Sequence, residues 1–234
     1  MSNPSSRAAT EHPYLLIPAG GRGLRMGGGI PKQFRDFGGR PLLRATVEAF
    51  LAPGMPLLGG IALAVPGDWL GEVRSWSFGP PLWVVEGGET RQESVSAALA
   101  ALPPAPDAPV MIHDGVRPFP PEDPIREALQ ALNGFDGALL GEPSTDTLKR
   151  VDDQGLVLHT EARETIFRAQ TPQIALLSTW RKAFAEARRS DFVGTDDVAL
   201  LEVLGLRVKL VVAPASNLKL TTPEDWERTS RRRV

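Results

Sequence analysis

The chain has 234 residues, 42% apolar, 23% charged and 6% aromatic, the profile of a globular protein of one generous domain or two tight ones. With 26 basic and 28 acidic residues its formal charge is −2, so bulk attraction to nucleic acid or to an acidic membrane is not expected, and a bound anion must be met by a few placed cations. It contains no cysteine, which removes disulfides, thiolate metal sites and cysteine nucleophiles together and fits a reducing cytoplasm.

Residues 1–13 have no apolar segment of the kind a signal peptide needs and read as a frayed tail. Tyr14 opens the run YLLIPAG, a strand entering a glycine loop, and RPLLRATVEAFL then repeats apolar residues at helical spacing. GGIALAVPG reads as a second, buried strand. The uncharged stretch around it, between Glu48 and Asp68, carries Pro53, Pro56 and Pro66 and cannot be a spanning helix. PPLWVVEGG is a third strand, TRQESVSAALAAL an amphipathic helix, APVMIHDG a fourth strand and EDPIREALQAL a further helix. This alternation predicts a three-layer α/β domain, a mostly parallel sheet with helices on both faces, whose ligands bind outside the carboxyl ends of the strands.

Near Asp136 the rhythm changes. GALLG, TLKRV, GLVLHT and TIFRAQT are short, polar and β-rich, with a hairpin turn at Asp152 to Gly155. They predict a protruding β-arm over about residues 141–170. Helical patterns return at Leu176 to Arg189 and Thr195 to Leu204, the second begun by Asp196 and Asp197, at least one of them explained as an N-cap. A strand RVKLVVA and a short helix opened by Thr222, Pro223, Glu224 and Asp225 follow. No repeat is visible, so residues 14–234 read as a single domain carrying the arm.

The first strand runs into a loop with glycines at 20, 21, 23, 27, 28 and 29, flanked by Arg22, Arg25 and Lys32. Backbone amides unobstructed by side chains, together with cations, make an anion cradle suited to a triphosphate. A dinucleotide fingerprint fails because Met26 stands where its last glycine belongs, and a P-loop fails because Lys32 lies between Pro31 and Gln33. Further on, the Ser94 hydroxyl and the Gly88 amide are suited to reading a pyrimidine edge, while Glu89, Thr90 and Glu93 also fit a capped helix start. Asp114 closes the fourth strand at the ligand edge. Lys219, between Leu218 and Leu220, reads as a strand residue facing away from both. His12, His113 and His159 are far apart, no protein-only metal site is evident, and His113 reads as a packed strand residue.

P-A-G-G-x-G-x-R-M with P-K-Q, G-G-E-T-R-Q-E-S-V (Gly87 to Val95), H-D-G-V-R-P (His113 to Pro118) and D-T-L-K (Asp146 to Lys149) are followed by Arg163, T-P-Q (Thr171 to Gln173), T-D-D and N-L-K-L-T. This ordered set resembles the 2-C-methyl-D-erythritol 4-phosphate cytidylyltransferases, of the Rossmann-like nucleotide-diphosphosugar transferase superfamily. The resemblance implies transfer of the cytidylyl group of CTP to methylerythritol phosphate, with Mg2+ carried by the CTP phosphates. It places Pro18, Ala19, Gly20, Gly21, Gly23, Gly88, Glu89, Arg91, Ser94 and Asp114 on the nucleotide and Arg25, Lys32 and Lys219 in catalysis. Asp114, Arg117, Thr147, Arg163 and Lys219 would meet the acceptor, Thr147 and Arg163 across a homodimer with exchanged arms. Departures are Glu89 for a usual aspartate, Thr145 for a usual arginine, and Gly115 and Val116 for two alanines, Val116 being bulky enough to crowd the pocket. Rival readings are a cytidylyltransferase for another polyol phosphate such as ribitol 5-phosphate, a catalytically inactive CTP-binding regulatory module, and a dinucleotide oxidoreductase.

Overall fold

A computed structural model describes residues 12–21, 29–105 and 108–230. The expectations for residues 1–11 and for Arg22, Gly23, Arg25, Met26, Gly27 and Gly28 lie outside these. The strands are β1 (Tyr14–Pro18), β2 (Gly60–Val65), β3 (Leu82–Glu86), β4 (Pro109–Ile112), β5 (Gly137–Pro143), β6 (Lys149–Val151), β7 (Val157–Thr160), β8 (Phe167–Leu176) and β9 (Val208–Val212). The helices are α1 (Leu42–Ala49), α2 (Leu70–Arg74), α3 (Arg91–Ala101), α4 (Glu122–Ala131), α5 (Leu177–Arg189), α6 (Ala199–Val203) and α7 (Pro223–Ser230).

Seven strands form one sheet in the order β3-β2-β1-β4-β8-β5-β9. β1 pairs in parallel with β2 and β4, β2 with β3, and β5 with β9. Strand periodicity sorts the core into two layers. Leu15, Ile17, Ile61 and Leu63 face α1 and α4 through Leu43, Val47, Ile125 and Ala128. Leu16, Ala62 and Ala64 face α3 and α5 through Val95, Ala98, Leu99, Trp180 and Phe184. Helices therefore cover both faces, which is why β1, β2 and β4 read as unbroken apolar runs. Trp180, fully buried, also satisfies its indole N–H on the Val110 carbonyl at 3.1 Å.

Three expectations are revised. The segments GALLG and TIFRAQT are not arm. β5 and β8 belong to the main sheet, with β8 antiparallel to both β4 and β5. The first residues of β8 are largely exposed and its later ones, from Gln170 to Ala175, are buried, so its opening reads as arm while its remainder is core. The arm proper spans residues 144–166, closed at its base by the Ser144 N–H on the Ile166 carbonyl at 2.9 Å, and contains the β6–β7 pair. Its turn falls where expected: Asp152 Oδ1 accepts from Gln154 and Leu156 N–H, and Gly155 sits at φ +83°.

The helix expected over Thr195 to Leu204 forms only as α6. Gln173 holds the preceding loop open, donating to Asp196 Oδ2 at 2.8 Å and accepting from Val198 N–H at 2.9 Å. Lys219 lies in an irregular segment between β9 and α7 rather than in a strand, although Leu220 beside it is fully buried. The five-residue α2 is too short to show a period and was not anticipated. No helix among the described residues is long and apolar enough to cross a membrane.

Candidate active site

The chain leaves β1 to build β2 and β3 on one side and returns to place β4 on the other, so a crevice opens at the carboxyl ends of β1 and β4. Asp114, just beyond β4, is its electrostatic centre. Arg91 Nη1 donates to Asp114 Oδ1 at 2.7 Å, and Arg117 Nε and Lys219 Nζ each lie 3.1 Å from Oδ2. The other arm of the Arg91 guanidinium donates to Asp197 Oδ2 at 2.7 Å. Burial alone would raise the Asp114 carboxyl, but Arg91, Lys219 and Arg117 outweigh it and hold the group far below the ordinary carboxylate range. Burial likewise works against the Arg91 charge, and Asp197 and Asp114 overcome it, so Arg91 is held charged.

Two clefts meet at this cluster. One is lined by Pro18, Ala19, Gly21, Lys32, Gln33, Gly115 and Val116; the other by Arg117, Ala169, Gln170, Thr171, Gln173, Thr195 and Asp196. Arg91, Asp114 and Lys219 line both. Each cleft is thus anion-seeking, and the boundary between them carries the cations.

The first cleft is shaped by backbone packing. A Cβ on Gly20 would lie 2.7 Å from Ser94 Oγ and 3.0 Å from Gly87 Cα, so two glycine loops touch where no side chain fits. Gln33 ties the cradle to the Lys32 turn: it is 4% exposed, and its amide donates to the Ala19 and Gly21 carbonyls at 2.8 and 2.7 Å. Next to it Phe34 stacks on Trp69 at 3.9 Å between ring centroids, anchoring the short turn that carries Lys32. Thr90 and Glu93 form a complete capping box at the start of α3, and that fixes where Arg91 leaves the helix. Glu89 is exposed and takes no part in it.

The second cleft rests on a polar lattice. His113 is fully buried, with Nε2 3.0 Å from the Arg117 carbonyl and Nδ1 3.1 Å from Thr171 Oγ1. Burial lowers its pKa from 6.5 to about 4, so the ring is neutral near pH 7. Asn217, also fully buried, donates its side-chain amide to Gln170 Oε1 and the Thr171 carbonyl, both at 2.8 Å, while its backbone carbonyl accepts from Arg117 Nη1 at 2.6 Å. Asn217 therefore fixes the segment bearing Lys219 to both β8 and Arg117.

Of the residues expected from sequence, Pro18, Ala19, Gly21, Lys32, Arg91, Asp114, Arg117 and Lys219 converge on the two clefts. Gly20, Gly88 and Ser94 are not among the residues lining either cleft; Ser94 is buried, with its hydroxyl 2.9 Å from the Thr90 carbonyl and 3.4 Å from that of Gly88. Thr147 and Arg163 stay exposed on the arm, Arg163 Nε 3.7 Å from Glu164, and line neither cleft of their own chain. Val116, whose bulk was expected to crowd the pocket, lines the first cleft with its side chain packed among Phe37, Leu42, Ala45 and Leu220. Of the two aspartates expected to open the helix, Asp196 makes the capping bond, its Oδ1 accepting from Ala199 N–H at 3.0 Å, and Asp197 is the second partner of Arg91. His113 is packed in the interior as expected, but its hydrogen bonds and the structural roles of Gln33, Gln173 and Asn217 were not anticipated. Their signal was the motifs themselves, P-K-Q, H-D, T-P-Q and N-L-K, which show that a residue matters without showing what it touches.

A family model described as "IspD: 2-C-methyl-D-erythritol 4-phosphate cytidylyltransferase" matches residues 14–230. The enzyme of that name from Geobacter metallireducens is 40% identical over 219 residues, covering 91% of this chain and 93% of its own. Among solved structures, the 4-diphosphocytidyl-2C-methyl-D-erythritol synthase of Anaerococcus prevotii superposes with a TM-score of 0.81 at 28% identity, covering 95% of this chain and 96% of its own. The 2-C-methyl-D-erythritol 4-phosphate cytidylyltransferase of Thermus thermophilus does so at 0.75 and 31% identity, covering 95% and 100%.

Proposed function

Because the chain belongs to the 2-C-methyl-D-erythritol 4-phosphate cytidylyltransferase family and so joins CTP to that acceptor in isoprenoid precursor synthesis, we propose that the transfer takes place at Asp114, where the two clefts meet. CTP occupies the cleft of Pro18, Ala19, Gly21 and Lys32, and methylerythritol phosphate that of Arg117 and Thr171. The observation that carries this reading is that Arg91, Asp114 and Lys219 line both clefts.

An oxygen of the acceptor phosphate attacks the α-phosphorus of CTP. That P–O bond forms as the bond to the bridging oxygen breaks, giving 4-diphosphocytidyl-2-C-methyl-D-erythritol and pyrophosphate. Both reactants are anions, so the protein's work is alignment and neutralisation of charge that grows on the α-phosphoryl and leaving oxygens. Lys32 and Lys219 serve that end, joined by Arg25 on the strength of the resemblance. No general base is required, since the attacking phosphate is already ionised. Asp114, held ionised among its cations, orients Arg91, Arg117 and Lys219 rather than moving a proton.

Mg2+ fits as the companion of the CTP phosphates. Among the described residues no three His, Cys, Asp or Glu converge on one point, and the Asp114 carboxylate is already ringed by cations. When bound, the ion offsets charge on the departing pyrophosphate. The arm supports a homodimer: Val151, Leu156, Val157 and Leu158 are 49%, 67%, 55% and 57% exposed, and a two-stranded ribbon cannot bury such a face by itself. In that dimer Thr147 and Arg163 of each chain reach the acceptor cleft of the other. The compartment proposed is the cytoplasm, where CTP is made.

Pyrophosphate release with Mg2+ and CTP, measured with and without methylerythritol phosphate, tests the assignment. Release should require the acceptor, and Lys32→Ala or Lys219→Ala should each lower kcat about 10²–10³-fold, as loss of one transition-state donor does. Unchanged kcat in both variants would move the transfer away from this junction.

A further inference from the structure

Thr171 is 5% exposed and lines the second cleft. Its hydroxyl accepts from the Asp114 N–H at 3.0 Å and lies 3.1 Å from His113 Nδ1. The direction of the second bond follows from the far side of the ring. His113 Nε2 is 3.0 Å from the Arg117 carbonyl, which can only accept, so Nε2 carries the ring proton. A neutral imidazole has one N–H, so Nδ1 is an acceptor and Thr171 must donate to it. The ring cannot turn over to change this, because it is fully buried and packed edge-on against Phe50 at 4.7 Å.

A threonine hydroxyl has one proton and two lone pairs. Here the proton goes to His113 and one lone pair to Asp114. With that proton committed, the Thr171 hydroxyl can meet a ligand in the cleft that Thr171 lines only as an acceptor. We infer that His113 is a positioning residue of the acceptor cleft: by taking the Thr171 proton it fixes that hydroxyl as a hydrogen-bond acceptor, and so selects an acceptor substrate that presents a hydroxyl there over one that presents a carbonyl or phosphate oxygen. Two oxygens that can each only accept would leave both desolvated and unpaired, which a polyol hydroxyl avoids. This role presupposes the placement of the acceptor proposed above.

Steady-state kinetics on His113→Phe, Thr171→Val, Thr171→Ser and the double variant His113→Phe/Thr171→Val tests it, with the parent enzyme's turnover checking the placement itself. His113→Phe and Thr171→Val should each raise KM for methylerythritol phosphate about 10-fold, the worth of one hydrogen bond, with KM for CTP within about 2-fold. Thr171→Ser, which keeps the hydroxyl, should stay near the parent. The double variant should be no worse than the poorer single one, since both remove the same contact. Equal rises in both KM values, or fold-changes that multiply in the double variant, would overturn the inference. Acceptors lacking one hydroxyl at a time make the test independent of how well His113→Phe folds. One of them should bind the parent weakly yet lose nothing further on Thr171→Val, and an equal loss on both proteins for every analogue would also overturn it.

Discussion

At the scale of single residues, the site is built from charges that could not stand alone. Asp114 is 6% exposed and Asp197 3%, and an unpaired carboxylate at such depth would protonate rather than stay charged. Arg91 bridges the two, so removing any member strands a partner in the interior. His113 follows the opposite logic, buried because it is neutral. Its folded pKa near 4 lies below the 6.5 of an exposed imidazole. Between those values the unfolded chain binds the extra proton, so stability rises with pH. The contribution is complete above about pH 6.5 and is lost as pH falls toward and through 4, a total of about 3 kcal/mol. Denaturant midpoints measured from pH 7.5 to 4.5 should therefore fall in the parent and fall less steeply in His113→Gln, which has no titrating ring.

Among secondary-structure elements, two glycine loops and one glutamine set the shape of the first cleft, the one proposed for CTP. A methyl on Gly87 would meet Gly20 Cα at 2.7 Å, a collision with backbone that no rotamer relieves. Gly87→Ala should separate the loop after β1 from the loop before α3, cost about 1–3 kcal/mol of stability and raise KM for CTP more than KM for the acceptor. Gln33→Leu keeps the volume but surrenders both hydrogen bonds that tie the Lys32 turn to Ala19 and Gly21. It should weaken CTP binding by about 10-fold, roughly the worth of one bond, or more if the two act together, as read by calorimetric titration. The placement of Gly21 and Lys32 on one cleft was legible in the sequence because both belong to a run of glycines beside cations. The Gln33 contacts were not, since they depend on where the chain turns back after the loop.

In the whole molecule, the arm carries exposed apolar residues, and its Arg163 lies away from the clefts of its own chain. If the arms are exchanged, Lys32→Ala and Arg163→Ala protomers should complement each other. In a mixed dimer, one site combines an intact cradle with an intact arm from the neighbour, and random reassortment should restore about a quarter of the parent activity. Arms acting on their own chain would restore none. Sedimentation of Leu156→Glu/Leu158→Glu should show monomers and a matching loss of activity.

The sequence alone determined the alternation of strands and helices, the gathering of Gly20, Gly21 and Lys32 after β1, the aspartate at the end of β4 and the existence of an arm. These are local features: periodicity, turn chemistry and residue type within a few positions of one another. Only the tertiary structure decided that β8 enters the sheet between β4 and β5 in the opposite direction, which shortens the arm and delivers Thr171 and Gln173 to the site. It also decided the pairings that make the site work: Asp114 with Thr171, 57 residues apart, Arg117 with Asn217 at 100, and Arg91 with Asp197 at 106. Bonds over such separations have no local signature, because their partners meet only when burial of the two apolar layers has closed the sheet.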